Sequence, residues 1–340
     1  MRIGIVNDVS VAVAQLKRVV AKDHNLSVAW VACDGNEAVK HALADTPDLI
    51  LMDLIMPKLD GVGATAQIMK ASPCAILIVT ASVASNMSLV FHAMGHGALD
   101  VVKTPAVNDK EEEDALLGKI RVIGRYLGIG LKAERKLEHQ PSVPSFSGKA
   151  FLPPLLLIGS STGGPAALSK LLKGFPRPLE WAIVIVQHID AGFTANLAKW
   201  LGGEISYPVE LAKEGTRPAA GKILLAGSKD HITFDSECKL HYKKTLEEEI
   251  YTPSVDVFFL SAAKNWPEKS AAILMTGMGN DGAKGLKALH EKGWHTLVQN
   301  RESCIVFGMP KAAIELKAVD EILSPEKMAA ALRCFLKRSS

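Results

Sequence analysis

Short, wholly apolar segments alternate with helical segments along most of this chain, and this alternation constrains its fold more than any other feature. Leu49–Met52 and Ala75–Thr80 are examples in the first third of the chain, and Leu155–Ile158 and Ala271–Thr276 are examples further on. Apolar runs of strand length between helices are typical of parallel sheets that helices cover on both faces. The chain is therefore predicted to have an α/β fold.

The alternation stops and restarts once, which predicts two domains joined by a linker. Residues 1–105 repeat the strand–helix unit and are predicted to form a flavodoxin-like doubly wound domain. Residues 106–150 contain a charge run, a helical pattern and a segment rich in Ser, Pro and Gly, which predicts a helix and a flexible linker. Residues 151–340 are predicted to form a second doubly wound, Rossmann-like parallel-sheet domain. The other predicted strands are Ile3–Val6, Ser27–Ala32, Ala98–Val102, Ala182–Gln187, Lys222–Ala226 and Thr296–Gln299.

Composition excludes several classes of protein. Apolar residues make up 48% and charged residues 22% of the 340 residues, which excludes wholesale disorder. The net charge of +3 gives no reason to expect a nucleic acid or an anionic membrane as a partner. No apolar run approaches the roughly 20 residues of a membrane span, and the segment Met1–Asp8 lacks the apolar stretch of a secretory signal. We therefore expect no membrane insertion. The five cysteines form no CxxC pair, so we expect reduced thiols, no zinc site and a cytoplasmic protein.

Polar residues follow three strands of the first domain at the point where each strand ends. They are Asp8, Asp53 and Thr80. Ligands of open α/β sheets bind beyond the carboxyl ends of the strands, so these side chains are expected to meet there. Converging carboxylates favour Mg²⁺ between them, and a carboxylate beside Mg²⁺ can attack a phosphoryl group whose oxygens Thr80 would then bind. Taken singly, each Asp is more typical of a helix cap, and only the joint placement favours phosphoryl transfer.

The segment Leu51–Pro57, followed by Leu59-Asp60-Gly61, resembles the phosphoacceptor segment of response-regulator receiver domains. The resemblance covers residues 1–105. It implies that a chemosensory histidine kinase phosphorylates Asp53. It also implies that Mg²⁺ is bound by Asp8, by Asp53 and by the backbone carbonyl of Ile55.

Two positions depart from the receiver pattern. Receivers usually carry two adjacent acids after the first strand, whereas this chain has Asn7 before Asp8, and we expect weaker metal binding. The switch lysine of receivers directly precedes a proline, whereas Lys103 is followed by Thr104 and then Pro105. A slip of one residue on a strand turns a side chain to the opposite face, so the sequence leaves open whether Lys103 reaches the phosphoryl group.

A serine at the end of a strand is the candidate nucleophile of the second domain. Ser161 lies within Gly159-Ser160-Ser161-Thr162-Gly163, between the strand Leu155–Ile158 and a helix. This is the context of a nucleophile elbow, and the helix N-terminus offers N–H groups to an oxyanion. A glycine-rich phosphate loop has the same geometry, but the segment that starts at Gly159 fits neither G-x-G-x-x-G nor a P-loop.

A serine nucleophile needs a general base and an acid that orients the base. His188 follows the strand Ala182–Gln187 and Asp281 follows the strand Ala271–Thr276, so both are predicted at the same sheet edge as the serine. The order Ser…His…Asp differs from the Ser…Asp…His order of α/β-hydrolases, so this triad would be convergent. Taken alone, His188 is more typical of a structural histidine, and Asp281 is also placed to cap the helix that starts near Ala283.

Several segments of the second domain together resemble the protein-glutamate methylesterase domain of bacterial chemotaxis. They are Ile158–Gly164, Gln187-His188, Gly192–Thr194, Pro253–Asp256, Thr276–Gly282 and Gly308–Pro310. One departure is Asp190, where the family usually has proline. A receiver joined to this domain is similar to the whole two-domain chemotaxis methylesterase (CheB type).

This resemblance implies a phosphorylation-regulated hydrolase that acts on methyl-accepting chemoreceptors. It would demethylate glutamate methyl esters with release of methanol and would also deamidate glutamines. Ser161 would be the nucleophile, His188 the general base and acid, and Asp281 the residue that holds the imidazole tautomer. The backbone N–H of Met278 would bind the oxyanion, and Thr162 would line the site. Ester hydrolysis would need no cofactor, and Lys103 and Thr80 would be the switch residues of the receiver.

Other functions remain open at this point. A non-catalytic, phosphorylation-dependent binding module of a chemosensory pathway would use the serine loop to hold an anionic partner and would tolerate Ser161→Ala. An esterase or amidase for small molecules would hydrolyse free esters as fast as receptors. A DNA-binding regulator is disfavoured, since the sequence contains no basic recognition helix or helix-turn-helix.

Overall fold

The computed structural model describes residues 1–82, 86–127, 152–189, 191–205, 207–245, 251–268 and 270–339. The chain divides into two compact units, Met1–Lys136 and Leu137–Ser340. The part predicted as a linker, residues 106–150, contains a helix, and its residues from 128 onwards lie outside the described residues. None of the described helices combines the length and the apolar character that a membrane span requires.

The first unit is a parallel sheet with helices between its strands. Its elements are β1 (Arg2–Val6), α1 (Ser10–Val20), β2 (Ser27–Ala32), α2 (Gly35–Ala44), β3 (Leu49–Met52), α3 (Gly61–Ala71), β4 (Ala75–Thr80), α4 (Met87–Gly95), β5 (Asp100–Lys103) and α5 (Lys110–Tyr126). The strand order is β2-β1-β3-β4-β5, and all pairs are parallel. This is the flavodoxin-like order, which confirms the fold class predicted for the first domain. The chain reverses its winding between β1 and β3, so a ligand site is expected at their carboxyl ends.

The fifth strand starts at Asp100, two residues later than the pattern predicts. The residues before it close the end of α4, because the N–H of Gly97 donates to the Met94 carbonyl (3.0 Å) and that of Ala98 to the Ala93 carbonyl (3.0 Å). Gly97 has a φ of +112°, which favours glycine. The apolar Ala98 therefore belongs to a helix cap and not to the strand.

Cys33, Asp34 and Glu37 bring potential metal-ligating atoms close together at the start of α2. Asp34 Oδ1 accepts a hydrogen bond from the Glu37 N–H (2.9 Å), and Glu37 Oε2 accepts one from the Cys33 N–H (3.0 Å). The pair is a variant of the capping box, in which Glu37 accepts from the residue before the N-cap Asp34. The cluster is therefore explained by the helix N-terminus.

The second unit is a larger parallel sheet with one added hairpin. Its elements are β6 (Leu155–Ser160), α6 (Gly164–Lys173), β7 (Ala182–Gln187), α7 (Ala191–Ile205), β8 (Val209–Leu211), β9 (Ile223–Leu225), β10 (His231–Phe234), β11 (Leu240–Lys243), α8 (Val255–Asn265), β12 (Ala271–Leu274), α9 (Ala283–Glu291), β13 (His295–Gln299), α10 (Met309–Glu315), β14 (Glu321–Leu323) and α11 (Pro325–Ser339). The order of the seven-stranded sheet is β14-β13-β12-β6-β7-β9-β8, with parallel pairs throughout. The doubly wound prediction is confirmed for this domain too.

The middle of this sheet is fully buried, and its winding reverses there. Every residue of β6 and β7 is buried, as is every residue of β12. From β6 the chain winds to β7 on one side and later returns to β12 on the other side. The crevice beyond the carboxyl ends of β6 and β12 is therefore the expected ligand site.

Candidate active site

Ser161 directly follows β6, on the tight turn that leads into α6. Its N–H donates to the Thr276 carbonyl (3.0 Å), and its own carbonyl accepts from the Gly164 N–H (2.8 Å). Gly163, between them, has a φ of +78°. These bonds hold the serine in a fixed elbow at the centre of the sheet edge, with 9% of the residue exposed.

Gln187, the last residue of β7, ties the serine turn to the next strand end. Its Nε2 donates to the Ser161 carbonyl (2.8 Å) and to the His188 carbonyl (3.0 Å), and its Oε1 accepts from Ser160 Oγ (2.7 Å). Gly164 makes room for it, since a Cβ there would lie 1.9 Å from Gln187 Oε1. In the sequence, Gln187 is marked only by its place directly before a histidine at a strand end.

His188 and Asp281 form a hydrogen-bonded pair, with Nε2 2.8 Å from Oδ2. His188 follows β7 and Asp281 lies in the loop after β12, on the two strands that flank β6. The side chains are 13% and 2% exposed. Within the described residues no hydrogen bond joins Ser161 Oγ to His188. In enzymes without substrate, the bond between nucleophile and base is often long and tightens only when substrate binds. Because Nε2 faces the carboxylate, Nδ1 is the nitrogen that is left to accept a proton.

The Asp281 carboxylate is bound at the N-terminus of α8. Its Oδ1 accepts from Ser254 Oγ (2.8 Å) and the Asp256 N–H (2.9 Å), and its Oδ2 accepts from the Val255 N–H (2.6 Å). Burial alone would raise the pKa of Asp281, but the hydrogen bond and charge of His188 and the backbone N–H groups together lower it. Asp281 is therefore an anion that faces the imidazole. Helix α9 begins after Gly282 without a side-chain cap, so Asp281 caps α8 and not the helix near Ala283.

Asp256→Asn is expected to raise the free energy of unfolding at pH 8 by about 2 kcal/mol. Burial raises the pKa of Asp256 to about 6; the Gly285 N–H, 2.7 Å from Oδ1, opposes this shift and the charge of Asp281 adds to it. An unfolded chain ionises this group near pH 4. Ionisation therefore costs stability as the pH rises from about 4 to 6, and the cost persists above that range.

Urea unfolding followed by tryptophan fluorescence at pH 8 and pH 4 checks this prediction. Trp181, Trp200, Trp266 and Trp294 all lie in the second unit, so fluorescence mainly reports its unfolding. Asparagine still accepts from Gly285 and carries no charge, so the gain should shrink to near zero at pH 4. An equal gain at both pH values would contradict the electrostatic origin.

Two backbone N–H groups beside Ser161 donate to no acceptor in the part of the chain that the structure describes. They belong to Thr162, directly after the serine, and to Met278, in the loop after β12. The loop is fixed because the Gly277 carbonyl accepts from the N–H groups of Gly308 (3.1 Å) and Met309 (3.0 Å). An oxyanion hole is built from such N–H groups, so these two are the candidates for it.

In the first unit, Asp53 lies at the carboxyl end of β3 with both carboxylate oxygens in hydrogen bonds. Oδ1 accepts from the Leu54 N–H (2.7 Å) and Oδ2 from Asn7 Nδ2 (2.9 Å). Burial raises the pKa of Asp53 to about 6; the Leu54 N–H opposes this shift and the charge of Asp8 adds to it. Asp8 is exposed at the end of the neighbouring strand β1, and Ile55 follows in the next loop. Two carboxylates and a carbonyl are ligands that Mg²⁺ prefers, so these residues fit a magnesium site.

Thr80 and Lys103 end the neighbouring strands β4 and β5, but only Thr80 is turned inward. Thr80 is buried, and its Oγ1 accepts from Asn86 Nδ2 (3.0 Å). Lys103 Nζ lies 2.6 Å from Glu112 Oε1 on α5, with the lysine side chain 57% exposed. The structure therefore does not bring Lys103 to Asp53. Thr104 is the residue directly before Pro105, where receivers carry the switch lysine. Its N–H donates to the Thr80 carbonyl (3.0 Å).

Comparisons with known proteins match both units. The family model "CheB methylesterase" matches residues 156–332, and "Response regulator receiver domain" matches residues 3–113. The chain is 48% identical over 326 residues to protein-glutamate methylesterase/protein-glutamine glutaminase 1 of Bordetella avium, covering 95% of this chain and 94% of the relative. It is 47% identical over 332 residues to protein-glutamate methylesterase/protein-glutamine glutaminase 2 of Cupriavidus metallidurans, covering 97% and 96%.

A solved structure resembles the second unit. The crystal structure of the Thermotoga maritima CheB methylesterase catalytic domain aligns with a TM-score of 0.50 and 32% identity, covering 53% of this chain and 97% of that domain. Asp190, the departure from the family pattern, lies outside the described residues. The match to nearly all of that catalytic domain agrees with a doubly wound fold for the second unit.

Proposed function

This chain belongs to the CheB methylesterase family, and on that premise we propose that it is a phosphorylation-regulated protein-glutamate methylesterase and protein-glutamine glutaminase. Its substrates are glutamate methyl esters and glutamines of methyl-accepting chemoreceptors. The observation that carries the proposal is the hydrogen-bonded, partly buried pair His188–Asp281 at the same sheet edge as Ser161. Relatives that share nearly the full length of the chain bear this name.

In the proposed reaction Ser161 is the nucleophile. Its Oγ attacks the ester carbonyl of the glutamate side chain while its proton passes to His188 Nδ1. The carbon–oxygen bond to the methoxy group then breaks, and His188 returns the proton to the leaving group as methanol. Water attacks the acyl-enzyme with His188 again as base, which frees the carboxylate and Ser161. A glutamine reacts in the same way and releases ammonia.

The other residues stabilise the charges of this reaction. Asp281 faces the imidazolium that forms when His188 takes the proton, and its lowered pKa keeps it ionised. The N–H groups of Thr162 and Met278 receive the negative charge of the carbonyl oxygen. These groups are fixed by the backbone before substrate binds, so little reorganisation is needed in the transition state. The hydrolysis itself uses only protein groups and water.

The receiver domain supplies the proposed regulation. The Asp53 carboxylate accepts a phosphoryl group from a histidine kinase, and Asn7 and the Leu54 N–H hold that carboxylate in place. Asp8, Asp53 and the Ile55 carbonyl would hold Mg²⁺, which offsets the charge of the phosphoryl group when bound. Thr80 lies at the neighbouring strand end as a hydroxyl donor. Lys103 has to leave Glu112 before it can contribute to this site.

Methanol release from membranes that contain methylated receptors tests the proposal. Wild type is compared with Ser161→Ala and Asp53→Asn, each with and without Mg²⁺ and acetyl phosphate. We expect release from wild type, an increase with phosphodonor that is absent in Asp53→Asn, and only background in Ser161→Ala.

Three results would contradict different parts of the proposal. Release that persists in Ser161→Ala would exclude this serine as the nucleophile and would return attention to a binding module. Equal turnover of the methyl ester of N-acetylglutamate and of receptors would favour a small-molecule esterase. Release that ignores the phosphodonor would contradict the regulatory role of Asp53 alone.

A further inference from the structure

Tyr251 lies against the face of the His188 imidazole. The two rings stack with centroids 5.4 Å apart and planes 15° from parallel. Tyr251 is half-buried and lies just before α8. Nothing in the sequence pattern around Tyr251 indicates this contact, since no motif of the second domain includes it.

The hydroxyl end of Tyr251 is fixed by the loop that follows β12. Gly279 has a φ of +79°, and a Cβ at this position would lie 2.0 Å from the Tyr251 hydroxyl oxygen. Burial and the nearby charge of Asp281 raise the pKa of Tyr251 above its usual value, so the hydroxyl is neutral at pH 7. The ring is therefore held at one end by this loop and on one face by His188.

The same short segment that carries Tyr251 also binds Asp281. Ser254 Oγ and the N–H groups of Val255 and Asp256 donate to that carboxylate. Residues 251–256 therefore contact the face of the imidazole and the carboxylate that binds its edge. Such a double contact fixes the relative orientation of the two side chains.

We infer that Tyr251 is a positioning residue, which holds the His188 ring so that Nδ1 keeps one direction. Among the described residues the imidazole makes one hydrogen bond, from Nε2 to Asp281, which leaves the ring free to tilt about the Nε2–Oδ2 line. Stacking on Tyr251 blocks that tilt on one face. The inference rests on the proposed function, in which Nδ1 exchanges the proton of Ser161. Tyr251 itself takes no part in bond making.

A positioning role affects kcat and leaves KM nearly unchanged, because proton transfer occurs only in the transition state. A misplacement of about 1 Å in such a group can cost about 100-fold in rate. We therefore expect Tyr251→Ala to lower kcat for methanol release by about 10- to 100-fold. Tyr251→Phe, which keeps the stacked ring, is expected to stay within about threefold of wild type.

Tyr207→Ala is the matched control, since Tyr207 lies before the edge strand β8 and donates to the Pro176 carbonyl (2.8 Å). Its kcat should equal that of wild type. An unchanged kcat in Tyr251→Ala, or a loss that appears only in KM, would overturn the inference. A loss in Tyr251→Phe equal to that in Tyr251→Ala would also overturn it, because the hydroxyl and not the stacked ring would then be responsible for the effect.

A second measurement keeps this inference separate from the proposed function. The ¹⁵N shifts of the His188 ring, assigned by their loss in His188→Gln, report the tautomer without any substrate. We expect the Nε2–H tautomer in wild type and Tyr251→Phe, and averaged shifts in Tyr251→Ala. Shifts that are the same in all three proteins would overturn the inference. If wild type releases no methanol while the shifts behave as expected, the proposed function fails and the positioning role stands.

Discussion

Replacement of Asp281 with asparagine is expected to lower kcat for methyl-ester hydrolysis by about 10⁴-fold. The carboxylate accepts the Nε2–H of His188, which leaves Nδ1 unprotonated. An asparagine amide that turns its NH₂ group toward Nε2 instead places the imidazole proton on Nδ1. That nitrogen then cannot accept the proton of Ser161, so the loss appears in kcat and not in substrate binding.

The same substitution is expected to destabilise the second unit by about 3 kcal/mol at pH 7. Ser254 Oγ and the N–H groups of Val255 and Asp256 lose a charged acceptor at the start of α8. The pKa of Asp281 is lowered in the folded protein, so its stabilising effect is complete above the unfolded pKa near 4. The effect is lost as the pH falls through the folded pKa. The deficit of the variant should therefore shrink below pH 4.

Methanol-release kinetics and urea unfolding of the same samples check both effects. Asp256→Asn is the matched control, because it makes the same substitution in the segment that binds Asp281 and is expected to stabilise the protein. A kcat for Asp281→Asn within tenfold of wild type would contradict the proposed role. A stability loss with an unchanged kcat would leave Asp281 as a helix cap only.

The ends of the strands can be predicted from the sequence, because a buried parallel strand is a continuous apolar run. The runs that end before Asp53, Ser161 and His188 are wholly buried strands in the structure. Their polar successors lie at sheet edges for that reason. The fold class followed from the same runs. The short strands β8, β10, β11 and β14 were not predicted. Each has only three or four residues of mixed polarity, which is too few to show a periodic apolar pattern.

Contacts between segments that are distant in the chain cannot be predicted from local sequence patterns. Tyr251 stacks on a histidine far away in the chain, and Asp281 caps α8 from the other side of β12. Neither contact has a local pattern. Lys103 shows the same limit, because its direction depends on Glu112, which lies on the helix after β5. The sequence left its direction open, and the ion pair with α5 now accounts for it.

Gly277→Ala is expected to lower kcat by about 100-fold or more, although the added methyl group carries no chemistry. A Cβ at Gly277 would lie 2.7 Å from Ser161 Cβ and 2.1 Å from Met309 Sδ. Met309 is fully buried and cannot give way freely, so part of the displacement falls on Ser161, the proposed nucleophile. The Gly277 carbonyl also anchors the loop that contains Met278, so the N–H group proposed to bind the oxyanion moves too.

Gly203→Ala makes the same substitution where nothing lies within 4 Å of the new Cβ, near the end of α7. This control should keep the wild-type kcat and gain up to about 1 kcal/mol of stability, because glycine is the poorer helix former. In Gly277→Ala overpacking should cost about 1–3 kcal/mol. Kinetics at a temperature well below both unfolding midpoints separates the two effects. A normal kcat in Gly277→Ala would contradict the prediction. It would mean that Met309 absorbs the whole displacement, or that the position of Ser161 is less rigid than its backbone hydrogen bonds imply.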